Sequence, residues 1–385
     1  MPERQESSYD AVVLGAGLAG SAAAKALADL GWRTALIERR RLPRHKVCGA
    51  FLSPESAELL DALGLGGVTA ELGASRIERA VLTMPGGRPI ELALPAPAAG
   101  LSRYALDAAL QAAAVRSGAR LLQGSVRRVA TAGEWGWRVE ADYGGERLAL
   151  RSRVVVEARG AGAGEASSGP ARQLGLGAHY EGLTRGGAVE MYFFRGGYLG
   201  LCPVEDGRYN MAALLTASEL WRQGGDALGM LHAAAARHPR LQARLAGGRP
   251  VAGTLSAVVV PRYRAGIRAA SDGCLRIGDA AARIPPLCGD GMSMALRAAQ
   301  LVVRETDRYL RGAPGAGRWA RAYRAYDAAL HRELAPALRW GLALHVALGS
   351  ETGRRVAPAL ARLLPGTAQR LVLATRVRMR ELSQR

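Results

Sequence analysis

One stretch constrains this chain more than any other: YDAVVLGAGLAGSAAAKALADLGWRTALIERR, residues 9–40. Ala11-Val12-Val13-Leu14 is a short, wholly apolar run of the kind buried in a parallel sheet, and it leads directly into Gly15-x-Gly17-x-x-Gly20. Behind the glycines, Ala22, Ala23, Ala26, Leu27 and Leu30 recur at helical spacing. Gly31 ends that helix, and Thr34 to Ile37 returns as a second strand closing on Glu38. The pattern is that of a dinucleotide site. Gly15 permits a tight turn, Gly17 lets the backbone approach a pyrophosphate, and Gly20 lets helix and strand pack closely. Leu18 and Ala19 then open the helix whose N-terminus faces the phosphates. Glu38, followed by Arg39, lies at the distance expected of the acidic residue that accepts hydrogen bonds from a ribose diol. A carboxylate there favours FAD or NAD over NADP.

A second segment, GCLRIGDAAARIPPLCGDGMSMALRAAQLVVRE (273–305), narrows the choice. Leu275-Arg276-Ile277 reads as a strand ended by Gly278-Asp279, Pro285-Pro286 break the chain, and Gly289-x-Gly291 opens a helix with Met294, Leu296, Ala298, Leu301 and Val302 on its apolar side. This segment resembles the GD motif and following loop of flavoproteins in the p-hydroxybenzoate hydroxylase and geranylgeranyl reductase group. The resemblance implies that Asp279 hydrogen-bonds the flavin ribityl chain. It also implies that Gly289, Gly291 and Met292 bring backbone N–H groups to the pyrimidine end of the ring, where a helix N-terminus favours negative charge on reduced flavin. Arg103, ahead of an amphipathic helix, matches the arginine that the family keeps beside the flavin, and Val126 stands where the family's backbone meets adenine. Glu157-Ala158-Arg159-Gly160 departs from the Asp-Gly usual in the corresponding turn. The likeness runs from about residue 9 to residue 310.

The loop RHKVCGAFLSPES (44–56) looks closest to the CG-containing loop of the geranylgeranyl reductase branch. By that resemblance Gly49 lets the backbone lie against the ring and Cys48 sits near its reactive face, where Arg44, His45 and Lys46 would favour the thiolate. In the reductases such a cysteine positions or protonates an alkene; its plain alternative is packing, since free cysteine is commonly a small buried hydrophobe. Glu55 and Ser56 after Pro54 read as a helix start. Flavin halogenases of this superfamily carry Trp-x-Trp-x-Ile-Pro over the substrate tunnel, whereas the matching segment here, Gly197 to Pro203, has neither tryptophan. Trp135-Gly136-Trp137 has the spacing but falls in a hairpin.

The expected architecture is α/β: a Rossmann-type FAD-binding domain with an inserted, mainly antiparallel β-sheet substrate domain and a helical C-terminus. The FAD domain takes residues 1–72, 101–175 and 263–312, the substrate domain 73–100 and 176–262, and the C-terminal helices 313–385. Within the insert, RIERAVLTMPGGRPIELALPAP turns at Pro85-Gly86-Gly87 as a hairpin would. There is no second strand-GxGxxG-helix-acid unit, so NAD(P)H is expected as a transient reductant unless a separate protein donates the electrons.

Composition limits the partners. Formal net charge is +19, but of 52 basic residues only Lys25 and Lys46 are lysines, so arginine-rich coding accounts for part of the excess. No basic stripe is interleaved with aromatics, and nucleic acid is not an expected partner. The basic helices after Gly317 leave peripheral contact with anionic membrane open. Cys48, Cys202, Cys274 and Cys288 form no C-x-x-C and no zinc-spaced cluster with histidine, so reduced thiols and no metal are expected. The polar N-terminus and the lack of a long uncharged apolar run point to the cytoplasm. The reading that follows is an FAD-dependent monooxygenase acting on a hydrophobic aromatic or polyketide-like small molecule through a flavin C4a-hydroperoxide. The alternative is a geranylgeranyl-reductase-like double-bond reductase, with halogenation behind both.

Overall fold

The computed structural model describes residues 7–133, 136–161, 173–216, 226–260, 263, 266–271, 273–363, 366, 370 and 373–377. The chain opens with β1 (Ser7–Leu14), α1 (Leu18–Asp29) and β2 (Thr34–Glu38), the boundaries the glycine pattern dictates. After β3 (Phe51–Leu52), α2 (Glu55–Ala62) and α3 (Val68–Glu71), it leaves for the hairpin β4 (Ser75–Thr83) and β5 (Ile90–Gly100). It returns through α4 (Arg103–Arg116), β6 (Arg120–Thr131), β7 (Trp137–Tyr143) and β8 (Glu146–Glu157). A second excursion follows: β9 (Gln173–Glu181), β10 (Ala188–Phe194), β11 (Gly197–Pro203), β12 (Tyr209–Thr216), α5 (Ala227–Ala236), α6 (Pro239–Leu245), β13 (Arg249–Pro250) and β14 (Ser256–Val260). The chain then closes with β15 (Ala270–Ser271), β16 (Cys274–Arg276), α7 (Gly291–Leu310), α8 (Ala316–Gly349) and α9 (Glu351–Leu363).

Two sheets result. In the first, β1 lies between β2 and β8 in parallel register, β6 extends the parallel set beyond β2, and β16 extends it beyond β8. β7 pairs antiparallel with both β6 and β8. The second sheet has nine strands and is antiparallel except where β10 joins β4 in parallel; this single junction stitches the two excursions together. The α/β architecture with its inserted sheet and C-terminal helices agrees with the sequence expectation.

The glycines do what their spacing requires. Gly15 has φ +103°, and a Cβ there would come within 2.7 Å of the Ala158 carbonyl oxygen. A Cβ on Gly20 would lie 1.9 Å from the Gly15 carbonyl oxygen and 3.0 Å from the Ala158 Cβ. The first turn of α1 therefore packs directly on the end of β8, and the small Ala158 belongs to that contact. Val12, Val13 and Leu14 are fully buried, and the main core runs from α1 through α4 to α7 and α8. Trp137 begins β7, while Trp135 lies outside the described residues. Among the described residues no helix is long and apolar enough to cross a membrane.

Candidate functional site

The two segments read from the sequence meet at Gly278: a Cβ on that residue would stand 3.4 Å from the Ala19 Cβ of α1 and 3.9 Å from the Ala295 Cβ of α7. Parallel strands ending side by side bring the β1 turn, the β16 turn and the start of α7 to one edge of the sheet, the usual ligand edge of an open α/β sheet. α1 and α7 begin there without side-chain caps, at Gly17 and Asp290, whereas α4 is capped by Ser102, whose hydroxyl oxygen accepts from the Ala105 N–H at 3.1 Å. Uncapped N–H groups at a helix start form an anion site.

Cations gather at the same place. Lys46 and Arg103 point at Gly17, where a Cβ would meet their nitrogens at 3.6 and 3.7 Å. Both are anchored by Asp107, which is fully buried and accepts from Arg103 Nε and Nη2 at 2.7 and 2.8 Å and from Lys46 Nζ. Burial pushes the Asp107 carboxyl up, but Arg103 and Lys46 more than offset it and hold the group below its ordinary value. Burial alone would pull Arg103 down, yet Asp107 raises it; Lys46 is lowered by burial and by Arg103. Sequence reading missed Asp107. Its signal was there, an acidic residue four positions after Arg103 on one helix.

At the adenosine end, Glu38 Oε2 accepts the Ala16 N–H at 2.9 Å and Oε1 accepts the Arg40 N–H at 2.8 Å, so the carboxylate braces the glycine turn. Gln123 Nε2 donates to the Glu38 carbonyl, and Val126 lies three residues further along β6, beside a bulge. Arg39 is exposed. Glu157, the residue in the departing turn, is bound by Arg159 through Nε and Nη2.

At the opposite end, Asp279 follows Gly278 in the turn after β16 and is exposed, with protein close around it. Burial raises its carboxyl above the ordinary value, while Arg103, Arg283 and Lys46 pull it back. Gly289 has φ +73° and packs against Phe51; a Cβ there would lie 2.9 Å from the ring. Met292 is buried, so it offers the cleft only its backbone, whereas Gly291 is exposed. The side chain of Asp290 turns away to a different partner. Its Oδ1 accepts from Arg376 Nη1 at 2.8 Å, a fully buried pair formed by residues 86 positions apart, with Glu55 3.9 Å from the same guanidinium. Burial, partly countered by Arg376, pushes the Asp290 carboxyl up to about 7.

The loop between these ends carries Cys48, which is partly buried and packed against the main core; its carbonyl accepts from Asn210 Nδ2 at 2.8 Å. Cys48 and Asp279 both act on the charge of Arg103. Lys46 is committed to Asp107, and His45 stacks on Tyr104 with ring centroids 4.5 Å apart and sits edge-on to His179. Gly49 is exposed and has nothing within 4 Å of where a Cβ would be. In the inserted sheet, Met84, Phe193, Tyr198 and Leu214 form a buried apolar cluster against which Leu287 and Leu348 pack. Tyr263 and His345 border this patch with ring centroids 5.3 Å apart. Among the described residues no cluster of His, Cys, Asp and Glu could hold a metal.

The observed features fit FAD: a glycine turn that a Cβ would block, uncapped helix starts, two cations, and an exposed carboxyl group 241 positions after Glu38. Residues 8–177 match the model of the FAD binding domain family. The digeranylgeranylglycerophospholipid reductase 2 of Methanopyrus kandleri is 31% identical over 75% of this chain and 74% of its own length. Among solved structures, the myxobacterial chondrochloren halogenase CndH aligns with a TM-score of 0.78 at 20% identity over 96% of this chain and 97% of its own. A geranylgeranyl bacteriochlorophyll reductase-like protein from Thermoplasma acidophilum aligns with a TM-score of 0.68 at 20% identity over 98% and 94%.

Proposed function

The chain belongs to the FAD-dependent oxidoreductases of the p-hydroxybenzoate hydroxylase and geranylgeranyl reductase group, and from that premise we propose that it is a reductase of carbon–carbon double bonds in a hydrophobic small molecule. The monooxygenase reading led on sequence alone. The reductase reading moves ahead because the relative that matches three quarters of the chain at 31% identity is a reductase. The observation that supports it is the loop that carries Cys48, tied down by Lys46 on Asp107 and by Asn210 on the Cys48 carbonyl and packed against the main core.

Reduced FAD, when bound, supplies a hydride. The chain's own residues do the rest. The N-terminus of α1 with Lys46 and Arg103 binds the pyrophosphate, Glu38 and the Val126 backbone hold the adenosine, and Asp279 hydrogen-bonds the ribityl hydroxyls. Gly291 and Met292 offer backbone N–H groups to the pyrimidine edge, and Gly49 gives the ring room to approach. Cys48 would give its thiol proton to one alkene carbon while the other took the hydride that reduced FAD would supply, and the thiolate would regain its proton from solvent; the electrons would come from NAD(P)H. The apolar patch of the inserted sheet binds the substrate chain and excludes water, which assigns residues 73–100 and 176–262 to substrate and the remainder before residue 313 to FAD.

A second reading, hydroxylation of an oxygenated aromatic ring, is favoured by the polar rings of Tyr263 and His345 beside that patch. Anaerobic reduction with NADH and NADPH, followed by a screen of polyprenyl compounds and lipophilic phenols, separates the two. Saturated product formed without oxygen supports the reductase; product only when oxygen is consumed overturns it.

Replacing Cys48 with serine keeps the size and weakens the acid. The expected result is a fall in kcat of at least tenfold with FAD affinity unchanged, measured by anaerobic single-turnover reoxidation; unchanged turnover returns Cys48 to packing. Glu38→Ala removes a charge-assisted contact and is expected to weaken FAD by about 1.5–3 kcal/mol, read by flavin fluorescence titration. Unaltered affinity would remove Glu38 from the ribose.

A further inference from the structure

The apolar patch under the inserted sheet contains polar groups that the protein itself leaves unsatisfied. Tyr198 is only 8% exposed, and its hydroxyl makes no hydrogen bond; the Leu287 backbone lies beside it outside hydrogen-bond geometry. His345, reaching in from α8, has a buried Nδ1 with no hydrogen-bond partner among the described residues, and Arg283 has a buried Nη1 with none. Tyr263 stands among them, in electrostatic contact with Tyr198, Arg283 and Asp279. Their origins differ: the inserted sheet, the strand-to-helix loop after Asp279, the segment after β14 and the long C-terminal helix. The fold has brought them together around one spot.

Burying a polar group without a partner costs about 1–3 kcal/mol, and native structures rarely leave such groups together. Around them are the side chains of Met84, Phe193, Leu214 and Leu287, which are apolar. Burial holds the Tyr198 and Tyr263 hydroxyls above their ordinary pKa and the His345 imidazole below its own, so both phenols keep their protons, and a guanidinium such as that of Arg283 has donors and no acceptor. The cluster is therefore rich in donors, and the group that completes it is an acceptor.

We propose that Tyr198, Tyr263, Arg283 and His345 form a handle for an acceptor oxygen on an otherwise apolar substrate, such as a ketone, quinone or phenolate oxygen on a hydrocarbon skeleton. This rests on the flavoenzyme reading for its placement: the handle adjoins Asp279, so the oxygen is bound next to the reacting carbons. An unfunctionalised hydrocarbon leaves the handle unpaired and is rejected, because a site built to hydrogen-bond its ligand discriminates strongly against the analogue that lacks the group.

The test compares 1-tetralone with tetralin, which share a skeleton and differ in one carbonyl, by isothermal titration of the FAD-loaded protein. The handle predicts at least tenfold tighter binding of 1-tetralone. It also predicts that Tyr198→Phe and Arg283→Met each reduce that ratio to threefold or less. Equal affinity for the two compounds, no binding of 1-tetralone, or variants that keep the full ratio would each overturn the proposal. Flavin absorbance recorded on the same samples separates the failures. A chain that takes up no FAD defeats the cofactor reading, and the same titration on the flavin-free protein still decides the handle.

Discussion

Asp107→Asn will lower the free energy of unfolding by about 3 kcal/mol, toward the low end of the range of about 3–5 kcal/mol found when one partner of a buried ion pair is removed. The carboxylate is fully buried and, among the described residues, is the one acidic side chain in a direct ion pair with both Arg103 and Lys46, whose side chains are each 18% exposed. That residual exposure lets water recover part of the loss, which sets the lower figure. Chemical denaturation of flavin-free protein measures the effect, and a change below about 0.5 kcal/mol would mean that the two cations are solvated well enough to need no counter-charge. The pH dependence provides an independent check. Because the folded carboxyl lies below its ordinary value of 3.8, its stabilisation is fully present above that value and is lost as pH falls through the lower folded one. The wild type should lose stability in that acid range more steeply than the variant. Added FAD should rescue the variant in part, since a pyrophosphate at the α1 N-terminus would replace the missing negative charge.

Asp279→Ala is expected to abolish flavin retention: the purified variant is colourless where the wild type is yellow. Asp279 is exposed at the point where α1, α7 and the turn after β16 converge, and it is one of the acidic groups balancing Arg103, Arg283 and Lys46. Without it the ribityl hydroxyls lose their acceptor and three cations lose a counter-charge. Asp279→Asn, which preserves an acceptor but not the charge, should retain a weakened flavin, and the two variants together apportion hydrogen bond and charge. Flavin occupancy by absorbance after purification is the measurement. Full occupancy in Asp279→Ala would remove the residue from the cofactor site.

What the sequence disclosed depended on the range of the interaction involved. The β1–α1–β2 unit could be read closely, apart from the first four residues of β1, because each of its determinants is local: an apolar run sets the strand, a glycine triplet sets the turn, and a carboxylate ends the next strand. The segment from Gly278 to Met292 could be read only through resemblance, since its strand is three residues long and its turn is rich in glycine and proline for reasons that lie in other elements. The role of Ala158, as a small residue packed under Gly15 and Gly20, emerges only when β8 is set beside β1. Asp107 was within reach of a helical-spacing argument and was passed over, whereas the pairing of Asp290 with Arg376 spans 86 positions and follows no spacing rule. The parallel junction of β10 with β4 is likewise a product of topology, as neither strand's alternation names its neighbour.

The Asp290–Arg376 contact has a consequence for the order of assembly. The turn that opens α7 is complete only when chain synthesised long after it folds back and slots its guanidinium beneath the ring of Phe51, with Val377 entering the main core behind it. The far wall of the site therefore depends on chain that lies 86 positions beyond the turn it completes, while the glycine-rich turn at the other wall is built from neighbours in sequence.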